Sequence, residues 1–356
     1  MNAIFKKTAQ SVRLAAALTG TVVGAGFLSG TELVRFFPER GYLSWLALYV
    51  FLYAGCFALL FLCGKKYGGY QGMLRALFGR AALLFGGVMT VSSFIMCASM
   101  LAGLAAAGEE GLSLPARLLP IAACFLLFFI GRGNKGLFAV NLALVPLILA
   151  FIFSMAGQPW EAGMQGAESD AFSCLSGVLA YVCMNCFLAA PLICDAGATG
   201  GGGAGCAIAA LVTGVCAAIL LAKISSEEGV REMQMPVLAL LAGGARALFS
   251  CVCAAGILTT LFSSWYPLDI LCAKKRRAVI WRAALLAGAF LLSLFGLKHI
   301  VRFVYPLIGG AGAIFLAVCT AQSRLLFDKP LFGKGDQRVH ARGKHAQDHR
   351  RRHHEV

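Results

Sequence analysis

Apolar residues in this chain arrive in long continuous stretches, without the alternation of a half-buried strand or the one-sided rhythm of a surface helix. Ten stretches predict helices at about 12–37, 42–63, 81–107, 115–131, 137–156, 172–194, 204–222, 238–266, 279–296 and 301–322. Most are near the length of helix that crosses a hydrocarbon layer of about 30 Å. Lipid offers the backbone no hydrogen-bond partners, so spanning segments are helices or closed barrels, and the lack of alternation selects helices. The third and eighth stretches are long and are expected to tilt or to run past the bilayer. Splitting the eighth in two gives an alternative of eleven spans.

Composition agrees. The 356 residues are 59% hydrophobic and 13% charged, with a mean hydropathy of +0.79, whereas a soluble domain carries roughly 25% charged residues. An all-α integral membrane fold follows. The first apolar stretch, from about Leu14, continues into glycines and not into a cleavage site, so no cleaved signal is expected. The fourteen cysteines fall mostly inside apolar stretches (Cys56, Cys97, Cys124, Cys183, Cys319) and read as small packing residues. Cys251 and Cys253 form CxC without a second pair, which argues against a metal site.

The net charge of +15 raises the question of a nucleic-acid partner, and its placement answers against one. With ten spans and the N-terminus inside, 23 of the 31 Lys and Arg fall on the inner side, including Lys65, Lys66, Arg132, Lys274 to Arg277 and nine in the tail from Arg324. Eight remain outside: Arg35, Arg40, Arg117, Lys223, Arg231, Arg246, Lys298 and Arg302. That bias favours ten spans with both termini cytoplasmic over eleven, and a basic tail beside anionic lipid needs no other partner. The acidic residues Glu109, Glu110, Glu161, Glu168, Asp170, Glu227, Glu228 and Glu232 fall in outer loops. The chain divides into a transmembrane domain over 1–328 and a basic tail, 329–356, expected to be disordered. The tail's histidines (His340, His345, His349, His353, His354) read as solvated and not as metal ligands.

Chemistry concentrates in the first span. Gly20, Gly24, Gly26 and Gly30 fall within eleven residues, and each glycine costs a helix up to about 1 kcal/mol against alanine. Small residues also let helices approach closely. Ser29, Thr31 and Glu32 follow at once, however, and a broken helix there frees carbonyls and amides to hold an ion or a zwitterion. Glu32 is the one carboxyl placed well inside a span; it is either functional or an outer-end partner of Arg35. The sixth span carries Tyr181, Asn185 and Pro191, a buried amide and a lost backbone donor, and is the second span expected to be interrupted. First and sixth are equivalent places if two five-span halves repeat, about 12–156 and 172–322. The glycines from Gly197 to Gly205 have no strand before them and read as a flexible inner loop. In the eighth span Thr259, Thr260, Ser263 and Ser264 either ligate a small cation or bond back to the preceding turn. No Ser-His-Asp, HExxH or Walker pattern appears, so no enzyme is expected.

Gly24-Ala25-Gly26-Phe27-Leu28-Ser29-Gly30-Thr31-Glu32, followed by Phe36-Phe37, resembles the GAGFASGQE…FF signature of YkvI-type bacterial membrane proteins. Tyr181 to Asn185, Met235-Pro236 and Thr259-Thr260 keep that family's order, and the likeness runs over roughly 10–322. The family looks like a distant branch of the amino acid–polyamine–organocation superfamily. The resemblance implies a LeuT-like pair of inverted five-helix repeats, with helices 1 and 6 discontinuous, in a bacterial cytoplasmic membrane. It also implies a possible Na⁺ site from the Gly20 and Val23 carbonyls with Thr259, Thr260 and Ser263. Solute would lie against Gly24, Ala25, Gly26, Phe27, Ser29, Tyr181 and Asn185, with Glu32 beside it. Phe27 stands where amino acid symporters of that fold often carry a polar residue, and Thr31 replaces the usual Gln. The expected function is secondary transport of a small polar or zwitterionic, amino-acid-like solute coupled to Na⁺ or H⁺. The alternative is a non-transporting receptor subunit on the same fold. Solute and membrane lipid are the only partners expected.

Overall fold

The computed structural model describes residues 2–130, 134–156, 170–200, 202–227, 229–273 and 275–327. The tail from 329 with its histidines, and Arg132, Glu161, Glu168, Glu228 and Lys274, lie outside the described residues. The described chain is helical, with no strand: α1 (Asn2–Val22), α2 (Ala25–Ser29), α3 (Thr31–Phe36), α4 (Tyr42–Tyr67), α5 (Tyr70–Phe78), α6 (Ala82–Ala106), α7 (Leu118–Ile130), α8 (Asn134–Ala156), α9 (Ala171–Ala198), α10 (Ala204–Ser225), α11 (Pro236–Ala239), α12 (Gly243–Ala273), α13 (Ala278–Ser293), α14 (Leu297–Phe303) and α15 (Tyr305–Phe327). Residues 1–319 form one compact unit, and a second begins at Thr320.

Six segments among the described residues are long and apolar enough to cross a membrane: Tyr42–Tyr67, Tyr70–Gly111, Ala171–Ala198, Ala204–Ser225, Gly243–Ala273 and Leu297–Gln322. Three shorter apolar helices accompany them, Leu118–Phe129, Val145–Ala156 and Ala278–Ser293. Their outward faces carry Phe51, Leu83, Phe129 and Leu307, each more than two-thirds exposed. Water would not tolerate so continuous an apolar surface, and lipid does. The chain is a membrane protein.

Because the helices are apolar all round, amphipathicity does not select which face turns inward; side-chain size and close approach do. α4 buries Leu46, Tyr49, Tyr53, Phe57 and Leu60 on one stripe and lies along α9, the most extensive helix pair among the described residues. A β-carbon on Gly64 would fall 2.1 Å from the Cys194 carbonyl oxygen, so these backbones touch. α1 packs on α10, α10 on α4, and α12 on α6 and α8.

Two expectations are corrected. The sixth span is not interrupted: α9 is one continuous helix of 28 residues with Pro191 inside it. Asn185 meets its polar need within the same helix, donating Nδ2 to the Tyr181 carbonyl at 3.0 Å, and a proline removes only one backbone donor. The glycine run at 197–205 is not simply a flexible loop either. Its first residue presses on α4, where a β-carbon on Gly197 would fall 2.2 Å from the Phe61 carbonyl oxygen, and its second half presses on α1, where β-carbons on Gly202 and Gly205 would fall 2.6 and 2.5 Å from backbone atoms of Ser11. The eighth stretch yields the short α11 and then an unbroken α12, so it is not two crossings.

Candidate functional site

The first span does come apart, in two places. α1 ends at Val22, and Gly24 turns its amide back onto the Val22 carbonyl (2.8 Å) with an extended backbone, φ −91° and ψ −164°. Among the described residues, the Gly20, Thr21 and Val23 carbonyls and the Ala25, Gly26 and Phe27 amides take no backbone hydrogen bond. All but Thr21 belong to buried residues. The second joint is Gly30, left-handed at φ +85°, which ends α2 after five residues and starts α3. A side chain there would be strained by that φ and would also meet Ile224 Cδ1 at 2.5 Å.

α3 begins at that joint and carries Glu32 inward. The carboxyl is buried, 3% exposed, and its Oε2 accepts a hydrogen bond from the Tyr181 hydroxyl of α9 at 2.8 Å. It makes no ion pair with Arg35, which is exposed. Oε1 lies against Gly26, where a β-carbon would stand 2.2 Å away; the glycine is what lets the carboxyl fold back over α2. The Tyr181 ring stacks on Phe36 (centroids 5.1 Å) and on Tyr49 (5.9 Å). Tyr49 stacks on Tyr53 (4.9 Å), and Tyr53 packs on Phe57 (4.3 Å). An aromatic column thus runs from the carboxyl down α4.

The ion-site residues are brought partly together. A β-carbon on Gly24 would lie 3.4 Å from Thr260 Oγ1, so the α12 hydroxyl faces the first joint. Thr259 and Thr260 both donate to the Gly256 carbonyl (2.8 and 3.3 Å), and Ser263 donates to the Thr259 carbonyl (3.0 Å). Their hydrogens are used within α12, while their oxygens remain able to accept or ligate. Ser29 and Thr31 share a hydrogen bond of 2.8 Å, and Thr31 donates to the Gln234 carbonyl at 2.8 Å. They fasten the α2–α3 joint to the segment before α11. Ala25 and Phe27 are fully buried; Ala25 lies against Gly103 of α6, since a β-carbon there would come within 2.8 Å of its own. Asn185 spends its amide hydrogen on its own helix.

Beyond α3 lie two cavities, of about 720 and 300 Å³, with Val34, Arg35, Arg231 and Glu232 lining both. Arg231 holds the wall between them: Nε pairs with Glu39 at 2.9 Å, and Nη2 donates to the Val34 and Phe37 carbonyls (3.4 and 3.1 Å). Burial pulls its pKa below the ordinary arginine value, and the Glu39 carboxylate opposes that. Lys298 pairs with Glu232 at 3.2 Å, and Arg35 and Arg302 stand exposed at the smaller cavity.

Several residues near the site were not singled out from the sequence. Tyr49 and Tyr53 sit at helical spacing on an apolar stretch, a pattern that reads as core. Tyr49 also bonds to Thr213 of α10 at 3.3 Å. Ser99 of α6 and Tyr305 of α15 share a 2.7 Å hydrogen bond across a separation no periodicity reveals. Asp269, buried near the end of α12, forms a 2.6 Å ion pair with Arg282 of α13. All fourteen cysteines are free thiols.

No family model matches the chain. Over 151 residues it is 36% identical to the uncharacterised membrane protein YkvI of Bacillus subtilis (strain 168), covering 40% of this chain and 42% of that protein. The chain therefore spans less than half the length of this curated relative, and the resemblance to YkvI-type proteins holds over that part. The crystal structure of a mutant manganese transporter from Eremococcus coleocola superposes with a TM-score of 0.59 at 14% identity, covering 86% of this chain and 78% of that one. At that identity the likeness shows a shared fold and says nothing of activity or cargo.

Proposed function

We propose that the protein is a secondary transporter moving a small polar or zwitterionic, amino-acid-like solute by alternating access. In this reading ten crossings form two inverted five-helix repeats, about 12–156 and 172–322, with both termini cytoplasmic. The observation that carries it is the double joint in the first crossing. Main-chain atoms without backbone partners flank Gly24, which lies beside Thr260, with the buried Glu32–Tyr181 pair directly after. A discontinuous helix with freed backbone groups is the common means of holding a solute or coupling ion at mid-membrane. Because α9 is intact, the pocket is made by one jointed helix working against one continuous helix. Coupling is by Na⁺ at Gly20, Val23, Thr259, Thr260 and Ser263, or by H⁺ at Glu32.

The structural neighbour moves manganese. Among the described residues here, no group of three His, Cys, Asp or Glu is placed to hold a metal ion, and a transition-metal cargo is not part of the proposal. Uptake into proteoliposomes tests it, with an imposed Na⁺ or H⁺ gradient. A transporter accumulates solute above equilibrium, whereas a receptor subunit binds without flux. Replacing both Thr259 and Thr260 by alanine should raise the Na⁺ concentration needed for half-maximal uptake by roughly tenfold, the loss of about 1.4 kcal/mol of ion binding. An unaltered sodium response would remove that ion site.

A further inference from the structure

Neither of the two cavities beyond α3 is lined by Gly24, Glu32, Tyr181 or Thr260, and the wall they share is basic. Four cationic side chains line the smaller one, of about 300 Å³: Arg35, Arg231, Lys298 and Arg302. The two carboxylates at these cavities are already engaged, Glu39 with Arg231 Nε at 2.9 Å and Glu232 with Lys298 at 3.2 Å. Arg35 and Arg302 have no carboxylate partner among the described residues; Arg302 lies over the ring of its neighbour Phe303, at 5.5 Å. Two positive charges are left over at one cavity.

Exposed arginines alone are ordinary solvated surface. Arg231 makes this place different. Its side chain is 15% exposed, it lines both cavities, and its Nη1 is buried without an acceptor. Nε and Nη2 are spent on Glu39 and on the Val34 and Phe37 carbonyls, so the head group is fixed in place one acceptor short. A buried charged donor left unpaired is costly. Water would answer Nη1 and leave the two surplus charges unanswered, whereas an anion answers both.

The donors also select the kind of anion. Guanidinium forks match the oxygens of carboxylate and phosphate groups. Here three forks come from three elements: Arg35 from α3, Arg231 from the Val230–Glu232 turn and Arg302 from α14. A carboxylate offers two oxygens in one plane, while a tetrahedral group offers oxygens in several directions. Two surplus charges favour a doubly charged ion over a monovalent one.

We infer that the smaller cavity binds a doubly charged tetrahedral oxyanion, a phosphate group in chemistry, between Arg35, Arg231 and Arg302. Bound there, it ties α3, which carries Glu32, to α14 and to the turn between them. The site does not depend on the transporter reading.

The test uses the full chain in phosphatidylcholine nanodiscs, which leave both membrane faces open to solution. Thermal shift is read with sulfate and with phosphate at low millimolar concentration, and with chloride and acetate at matched ionic strength. The tetrahedral dianions should raise the melting temperature saturably, and the monovalent anions should not. Saturation at low concentration separates this from the general stabilisation that sulfate and phosphate give to proteins. Arg35→Gln with Arg302→Gln, both at exposed positions, should weaken dianion binding by about tenfold or more, the worth of a charged hydrogen bond. Arg231→Lys keeps the charge and loses the fork; it should bind several-fold more weakly and keeps the idea testable if the double variant does not fold. The inference is overturned if neither dianion stabilises the protein, if chloride or acetate does so equally, or if the double variant binds sulfate unchanged. Native mass spectrometry with phosphatidic acid added to the nanodiscs separates the sources of the phosphate group. Retention of that lipid by the wild-type protein and not by the double variant assigns the site to a headgroup, and equal retention assigns it to a free anion. None of these readouts measures uptake, so failure of the site and failure of the transporter reading are told apart.

Discussion

Glu32 Oε1 occupies the space a β-carbon on Gly26 would need, at 2.2 Å. Gly26→Ala therefore sets two groups in competition, and the carboxyl must move off Tyr181. Overpacking of this kind costs about 1–3 kcal/mol. The expected result is a lower melting temperature together with more than tenfold weaker solute binding, measured on the same sample. A variant that melts lower but binds normally would show that the Glu32 position is not used. Much of this residue-level picture was legible. Glycines beside Ser29, Thr31 and Glu32 marked the break, because neither strong helix propensity nor a simple packing face explains that mixture. The partner of Glu32 was also among the residues singled out, though Tyr181 was chosen for its place on the sixth span. Tyr49, Tyr53, Ser99 and Tyr305 were not legible. Aromatic residues at helical spacing on an apolar stretch look like any core, and the Ser99–Tyr305 pairing joins two distant stretches.

At the scale of the element, α9 is where sequence reasoning and structure part. Asn185 and Pro191 read as an interruption because each, alone, disturbs a helix. In place, the amide bonds to the carbonyl four residues back, and the proline subtracts a single donor from a helix clasped on both sides. Glycines make that clasp: Gly64 of α4 meets Cys194, and Gly309 and Gly312 of α15 would bring β-carbons within 2.6 and 2.3 Å of the Ala180 and Cys183 carbonyl oxygens. Pro191→Ala should accordingly leave helix content by circular dichroism unchanged and the melting temperature equal or higher. A drop in helix content would mean α9 is not the continuous rod described. Gly64→Val should do the opposite, lowering the melting temperature by prising α4 from α9. The boundaries of α12 were misjudged for a simpler reason. The apolar run ends at 266 while the helix continues to Ala273, and its last turns carry Asp269 to Arg282.

For the molecule as a whole, charge is arranged by depth. The Asp269–Arg282 pair is nearly buried, at 10% and 11% side-chain exposure, and ties α12 to α13. Arg282→Ala strands the aspartate, which should cost about 3–5 kcal/mol. Removing both partners with Asp269→Asn should recover part of the loss, and a double-mutant thermal cycle measures how much. At the other end, Arg35, Arg231, Lys298 and Arg302 around the smaller cavity outnumber Glu232. Such a basic rim slows cations arriving at the cavity and does so less as salt screens it, with a reach of about 10 Å at 0.1 M. Arg35→Ser with Arg302→Ser should speed the arrival of a cationic solute at that cavity at low salt and leave equilibrium affinity alone; stopped-flow binding of a cationic solute at two ionic strengths decides. The two joints of the first apolar stretch also bear on the transport proposal. Ala25–Ser29 lies between joints at Val23–Gly24 and at Gly30, so two breaks in the helix separate α3, which bears the carboxyl, from the long shaft of α1. Under the proposed alternating access, Glu32 would ride with α3 and Thr260 with α12, and a cargo gripped by both would be let go in stages.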